Sequence, residues 1–129
     1  MTKILITGAA GFLGTRLTLD LIANASLKGP EDILNPITEI VLADLAEPKS
    51  LQAELLSENR IKLTPLVGSL TDPNFLERLS AQRADSIFHL ASQLTLQAEL
   101  DPALAYRTNV AALRTLMDRA DNNPTLVFT

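Results

Sequence analysis

Three glycines at three-residue spacing, Gly8, Gly11 and Gly14, follow the apolar run Ile4-Leu5-Ile6 and open directly into a helical pattern. The chemistry such a turn can do is anion binding. Gly8 supplies the backbone freedom of a tight turn, and Gly11 removes the side chain where a diphosphate must approach the backbone. Gly14 lets the helix lie close against the strand. The helix N-terminus then presents unpaired N–H groups and the positive end of its dipole to the anion. A plain structural turn is the alternative, but the strand before, the helix after and an acidic residue closing a second strand are the contexts that a dinucleotide site requires.

That acidic residue is Asp44, delivered by the run Ile37 to Leu42. A carboxylate there can accept hydrogen bonds from both hydroxyls of an adenosine ribose and would repel a 2′-phosphate. Neither Leu45 nor Ala46 offers a compensating cation, so NAD is favoured over NADP; a solvated turn aspartate is the competing reading. Gly14 and Asp44 are about thirty positions apart rather than the usual twenty or so, because the intervening loop is long. The placement at the carboxyl end of a strand is the feature that matters.

Gly68-Ser69-Leu70 ends the third strand and should lie beside the adenine, with Leu70 packing on the ring and Ser69 bonding its edge; an ordinary strand-to-helix loop reads almost as well. His89, the sole histidine, sits in an apolar strand with no cysteine or second histidine for a metal, which favours a structural role. Tyr106, the sole tyrosine, has Val110 and not lysine four positions on. A tyrosine base needs a nearby cation to bring down its pKa of about 10, so Tyr106 reads as helix surface or interface. Asn109 is mid-helix, where asparagine is disfavoured; it either holds a backbone group or water near the site or is simply exposed. Glu99 and Asp101 read as helix-start charges.

The elements that position these residues alternate strand with helix. Phe12, Leu13, Leu17, Leu21 and Ile22 predict the buried face of a first helix fading near Asn24, followed by a loop through Gly29-Pro30 and Asn35-Pro36. A short helix from Pro48 leads to a third strand over Ile61 to Val67, where Pro65 implies an edge or a bulge. Asp72 as N-cap and Pro73 at the first position start a helix burying Phe75, Leu76 and Leu79. Ser86 to Ala91 is the fourth strand. A long helix from about Asp101 to Ala120 is expected to bury Leu104, Val110, Leu113, Leu116 and Met117, and Thr125 to Thr129 begins a fifth strand. This alternation predicts an α/β, doubly wound, Rossmann-type parallel sheet with helices on both faces and strand order 3-2-1-4-5.

The bulk composition narrows the function. With 129 residues, 47% apolar and 20% charged, the chain suits one domain with a real core. A net charge of −4 without a basic cluster disfavours nucleic acid as a partner. There are no cysteines, hence no disulfides or thiolate metal sites. No run approaches the length needed to span a bilayer, and the polar breaks after Ile6 do not fit a signal peptide, so a cytoplasmic location is expected.

Thr7-Gly8-Ala9-Ala10-Gly11-Phe12-Leu13-Gly14, together with Asp44, Gly68-Ser69-Leu70, His89-Leu90-Ala91-Ser92 and Asn109, resembles the cofactor motifs of the extended short-chain dehydrogenases/reductases, the NAD-dependent epimerase/dehydratase family. The resemblance covers the whole chain. It implies that Gly8, Ala10, Gly11, Phe12 and Leu13 contact the pyrophosphate of NAD and Asp44 its adenosine ribose. It further implies that Leu90, Ala91 and Ser92 line the cofactor cleft, with Thr95 near the nicotinamide and substrate. Within the family the likeness points to oxidation of the C2 hydroxyl of a four-carbon sugar acid, with a nucleotide-sugar epimerase or dehydratase, or a non-catalytic nucleotide sensor, as alternatives. A homodimer is expected by resemblance. Ser69 stands where the family usually has aspartate, and Leu96 and Ala112 where similar proteins tend to carry glycine.

The family's catalytic serine and Tyr-x-x-x-Lys do not occur at matching positions in these 129 residues, and neither does a substrate-binding region. The chain therefore reads as one incomplete NAD-binding domain with no catalytic residue of its own, its sheet truncated after strand 5 with an open edge prone to self-association. Purified 129-residue material is expected to give no dehydrogenase turnover. NADH production by a preparation free of any longer enzyme would overturn this.

Overall fold

The computed structural model describes residues 2–57, 60–91 and 99–129. Strand β1 (Thr2–Thr7) leads through the glycine turn into helix α1 (Phe12–Asn24), then β2 (Ser26–Lys28) and β3 (Leu34–Asp44). A 3₁₀ turn (Lys49–Leu51) and α2 (Gln52–Leu56) precede β4 (Lys62–Val67), α3 (Pro73–Ser80) and β5 (Ser86–His89). Helix α4 (Pro102–Tyr106) runs through a π-helical turn (Arg107–Ala111) into α5 (Ala112–Arg119), and β6 (Thr125–Phe128) follows.

The parallel strands lie side by side as β4-β3-β1-β5-β6, which is the 3-2-1-4-5 order when only parallel strands are counted. The addition is β2, which pairs antiparallel with Leu34 to Pro36 in a segment the sequence marks as loop. Its three residues carry no strand pattern of their own. They are held because Ala25 ends α1 in a left-handed conformation and because a tight turn closes the hairpin, with Gly29 N–H donating to Ile33 C=O at 3.1 Å. Pro65 does sit on an edge strand, since among the described residues β4 pairs with β3 alone.

The sheet buries both faces. Leu5, Val41 and Ile87 point toward α3 and α5, where Phe75, Leu76, Leu79 and Leu116 meet them. Ile4, Ile6, Ile40 and Leu42 point to the other face, against Leu21 of α1 and Leu51. Successive strand residues face opposite ways, so a run such as Ile4-Leu5-Ile6 supplies both cores.

Two helix faces differ from the expected ones. Helix α1 turns Gly14, Thr18 and Leu21 to the sheet, while Phe12 and Leu13 are 86% and 56% exposed. Its first turn projects past the strand ends, where no sheet remains to cover them. Thr18 keeps its buried hydroxyl satisfied by donating to Gly14 C=O at 2.7 Å. In the last helix Ala105, Ala112 and Leu116 are buried, whereas Val110 and Met117 are 48% and 52% exposed. The π turn advances fewer degrees per residue than an α-helix, so a stripe extrapolated at 3.6 residues per turn lands beside the buried one. Asp72 caps α3 as expected, and Asp101, read as a helix-start charge, caps α4; they accept from the Asn74 and Leu104 N–H groups. Among the described residues no helix is long and apolar enough to cross a membrane.

Glu39 links three strands, with Lys3 Nζ at 3.2 Å from β1, and Lys62 Nζ at 4.0 Å and the Thr64 hydroxyl at 2.5 Å from β4. Desolvation pushes its carboxyl up, but the hydrogen bond from Thr64 and the two ammonium groups outweigh it and hold the group below its ordinary value of 4.5. A carboxyl lowered on folding stabilises the native state above the unfolded-state pKa and loses that contribution as pH falls through the folded one. Glu39→Gln is expected to cost about 1 kcal/mol at neutral pH. In urea unfolding from pH 7 to 3 the gap to wild type should shrink below pH 4.5; a gap constant with pH would contradict this.

Candidate functional site

At the carboxyl ends of β1 and β5 the backbone of the glycine turn is packed too tightly for side chains. Gly8 has φ +73°, and a Cβ there would lie 2.7 Å from Ala91 N and 2.9 Å from Leu90 C. A Cβ on Gly14 would lie 2.3 Å from Gly8 O, so α1 begins directly on the turn. Gly11 differs. A Cβ there would meet only Gly8 O, at 3.3 Å, and the residue caps α1 with extended backbone facing otherwise open space. That opening is where a ligand's atoms can come up to the main chain.

The turn is tied by its own amides. Ala9 N–H donates to Ala43 C=O at 3.2 Å, Ala10 N–H to Asp44 Oδ2 at 2.8 Å, and Gly11 N–H to Gly8 C=O at 3.1 Å. Phe12 and Leu13, in the first turn of α1, have no carbonyl one helical turn back to bond. Their N–H groups, with the positive end of the helix dipole, face the side from which an anion would come.

Asp44, half-buried, stands at the end of β3. Its Oδ2 accepts from Ala10 and its Oδ1 from Leu45 N–H at 2.6 Å. A cleft of about 410 Å³ opens beside it, lined by Gly8, Gly11, Ala43, Asp44, Leu45, Gly68, Ser69, Leu70, Phe75, Leu90, Ala91, Leu104 and Thr108. Its size is within the range of ligand-binding clefts, and it sits at the switch point where β3 and β5 flank β1.

Of the residues singled out in the sequence, Gly8, Gly11, Asp44, Ser69, Leu70, Leu90 and Ala91 come together around this cleft. Ala10, Phe12 and Leu13 belong to the turn and the helix start rather than to the cleft wall, and Asn109 lies half-buried in the π turn, one residue past Thr108. Ser92 and Thr95 lie outside the described residues, as do Leu96, Gln97 and Ala98. Ser69 Oγ is 2.7 Å from Thr71 Oγ1 and accepts Thr71 N–H at 3.2 Å, so its hydroxyl already shapes the loop into α3.

Sequence reasoning did not place Phe75, Leu104 or Thr108 here. Phe75 and Leu104 read as helix core, and Phe75 does pack in the interior, with one side of its ring on the cleft. The available signal is Gly68, where a Cβ would lie 2.3 Å from Phe75 Cδ1. A strand-ending glycine followed seven residues later by an aromatic marks a backbone lying flat on a ring.

His89 is 2% exposed, with Nδ1 2.8 Å from Thr7 Oγ1, which also accepts Ala91 N–H at 3.3 Å. The histidine thus ties β5 to β1. Burial pushes its pKa down, against a smaller opposing effect of the Thr108 backbone, and the ring is held neutral. Among the described residues no group of three or more His, Asp or Glu gathers as a metal site would require.

A doubly wound parallel sheet with a glycine turn, a helix N-terminus and a strand-ending carboxylate around one cleft defines a dinucleotide-binding protein. Residues 4–129 match the profile of the NAD dependent epimerase/dehydratase family, and the chain belongs to that family, whose cofactor is NAD. It is 32% identical to D-erythronate dehydrogenase of Haemophilus influenzae over 98% of its own length and 36% of that protein. It is 31% identical to D-erythronate dehydrogenase of Cupriavidus necator over 98% of its length and 38% of that protein. A nucleoside-diphosphate-sugar epimerase from Agrobacterium tumefaciens superposes with a TM-score of 0.81 at 32% identity, covering 98% of this chain and 36% of that one. The chain thus spans a little over a third of the length of these relatives.

Gly68→Ala is expected to cost about 1–3 kcal/mol by forcing the Phe75 ring aside. In a Phe75→Ala background the same substitution should cost almost nothing. A double-mutant cycle by urea denaturation checks this, and equal costs in the two backgrounds would refute the contact.

Proposed function

We propose that this chain forms the NAD-binding domain of a dehydrogenase that oxidises the C2 hydroxyl of D-erythronate. The observation that carries the cofactor assignment is Asp44, standing in the cleft wall and bonded to the glycine turn through Ala10. The diphosphate would lie over Gly11 against the N–H groups of Phe12 and Leu13. The adenosine hydroxyls would donate to Asp44, and the base would rest between Leu45, Leu70 and the Phe75 ring. Leu90 and Ala91 would wall the cleft toward the nicotinamide, with Ser92 and Thr95 following them along the chain. NAD, when bound, supplies the hydride acceptor; these residues hold and orient it and exclude water from its apolar side.

The substrate assignment is supported by the two D-erythronate dehydrogenases among the relatives. A nucleotide-sugar epimerase is the second reading, favoured by the likeness to the Agrobacterium tumefaciens protein. In either reading the proton-transferring residues would be supplied from outside these 129 residues, which span a little over a third of the length of the relatives. An exposed stripe of Tyr106, Val110 and Met117 supports a homodimer of the longer protein that would contain this chain.

The 129-residue chain is expected to bind NAD at least about tenfold more tightly than NADP, a difference of about 1.4 kcal/mol, measured by calorimetry. Equal affinities would remove the role given to Asp44. The longer protein is expected to reduce NAD with D-erythronate and to leave UDP-sugars unchanged; the reverse pattern would favour the epimerase.

A further inference from the structure

Asp44 has two tasks in this structure, and only one of them concerns the ribose. Each carboxylate oxygen already accepts a main-chain N–H: Oδ2 from Ala10 in the glycine turn, Oδ1 from Leu45 just past its own strand end. An ionised carboxylate has about four acceptor positions, so two remain for a pair of ribose hydroxyls. The Ala10 bond spans 34 positions and joins the end of β3 to the middle of the phosphate-binding turn. Ala9 is tied to the same strand by its bond to Ala43 C=O, so two consecutive amides of the turn hang on β3. Ala10 is the one whose acceptor is a side chain, and hence the one that a substitution can remove.

We propose that Asp44 is a positioning residue for the diphosphate site: by accepting the Ala10 N–H it fixes the turn, and with it the Gly11 opening and the Phe12 and Leu13 amides. This rests on the NAD reading for its ligand, though not for the Ala10 bond itself. Ribose recognition and diphosphate recognition are then coupled through one carboxylate. Removing Asp44 to admit a 2′-phosphate would leave Ala10 N–H without its acceptor and loosen the turn that holds the diphosphate common to both cofactors. The structure therefore opposes a change of cofactor preference by that single substitution.

The test separates the two tasks with an NAD analogue lacking the 2′- and 3′-hydroxyls of the adenosine ribose, bound to wild type and Asp44→Ala. If Asp44 served the ribose alone, Asp44→Ala would bind the analogue as wild type does. The expected result is a further loss of about fivefold or more with Asp44→Ala, because both main-chain N–H groups that the carboxylate holds lose their acceptor. Amide hydrogen exchange at Ala10, followed by NMR without ligand, gives an independent readout. Protection should persist in wild type and fall in Asp44→Ala, while the β1 and β5 amides stay protected in both. Unchanged analogue affinity or unchanged Ala10 exchange in Asp44→Ala would each overturn the proposal. Failure of wild type to bind NAD at all would sink the cofactor reading instead and leave the Ala10 exchange result to stand by itself.

Discussion

Three stretches of main chain meet within van der Waals distance at the carboxyl end of β1, and almost everything else about the cleft follows from that meeting. Gly14 brings the start of α1 onto the Gly8 carbonyl, while Gly8 brings the turn onto the Leu90–Ala91 peptide. Both approaches are closer than a Cβ permits. With the helix axis pinned so near the strand, its first N–H groups must open over the sheet end, where they cannot be covered by the sheet or by the helix itself. The exposure of Phe12 and Leu13 belongs to the same geometry. Their amides are useful to an anion because the first turn overhangs the strands, and an overhanging turn cannot bury its side chains.

The cleft is mixed in chemistry. The glycine turn and the carboxylate of Asp44 line it together with the apolar Leu45, Leu70, Phe75 and Leu104, with Ser69 already engaged by Thr71. A ligand with a charged, hydroxylated middle and a flat base suits that mixture. His89 and Thr7 stand beneath it as a buried strut between β1 and β5. They tie the ends of these two strands together without lining the cleft themselves.

The parallel sheet, its strand order and the turn were legible in the sequence because each rests on a local signal of backbone type: glycines where no Cβ fits, β-runs ended by turn residues, Asp-Pro at a helix start. Asp44 was legible for the same reason, as the residue that ends a strand. What the sequence hid depends on neighbours distant along the chain. Strand β2 exists only because Leu34 to Pro36 offers it a partner. Phe75 joins the cleft only because Gly68 lies flat against it. The bond from Ala10 to Asp44 cannot be read from either segment alone, since nothing in Ala-Ala announces which N–H will find a carboxylate.

The last helix shows why even a strong apolar periodicity can mislead. Leu104, Val110, Leu113, Leu116 and Met117 are the larger residues, and ranking by hydrophobicity puts them all inward. Leu116 is buried, but Val110 and Met117 are exposed, and the small Ala105 and Ala112 are buried instead. Small residues let a helix approach a flat sheet closely. The summed dispersion attraction between the backbone and the strand residues beneath it can then exceed what one large side chain supplies at a greater distance. The π turn sets which small residues fall in line, by slowing the rotation of the helix between Tyr106 and Ala112. It also brings Thr108 to the cleft and its backbone near the His89 ring. The irregularity that defeats a uniform helical repeat thus lies where this helix lines the cleft.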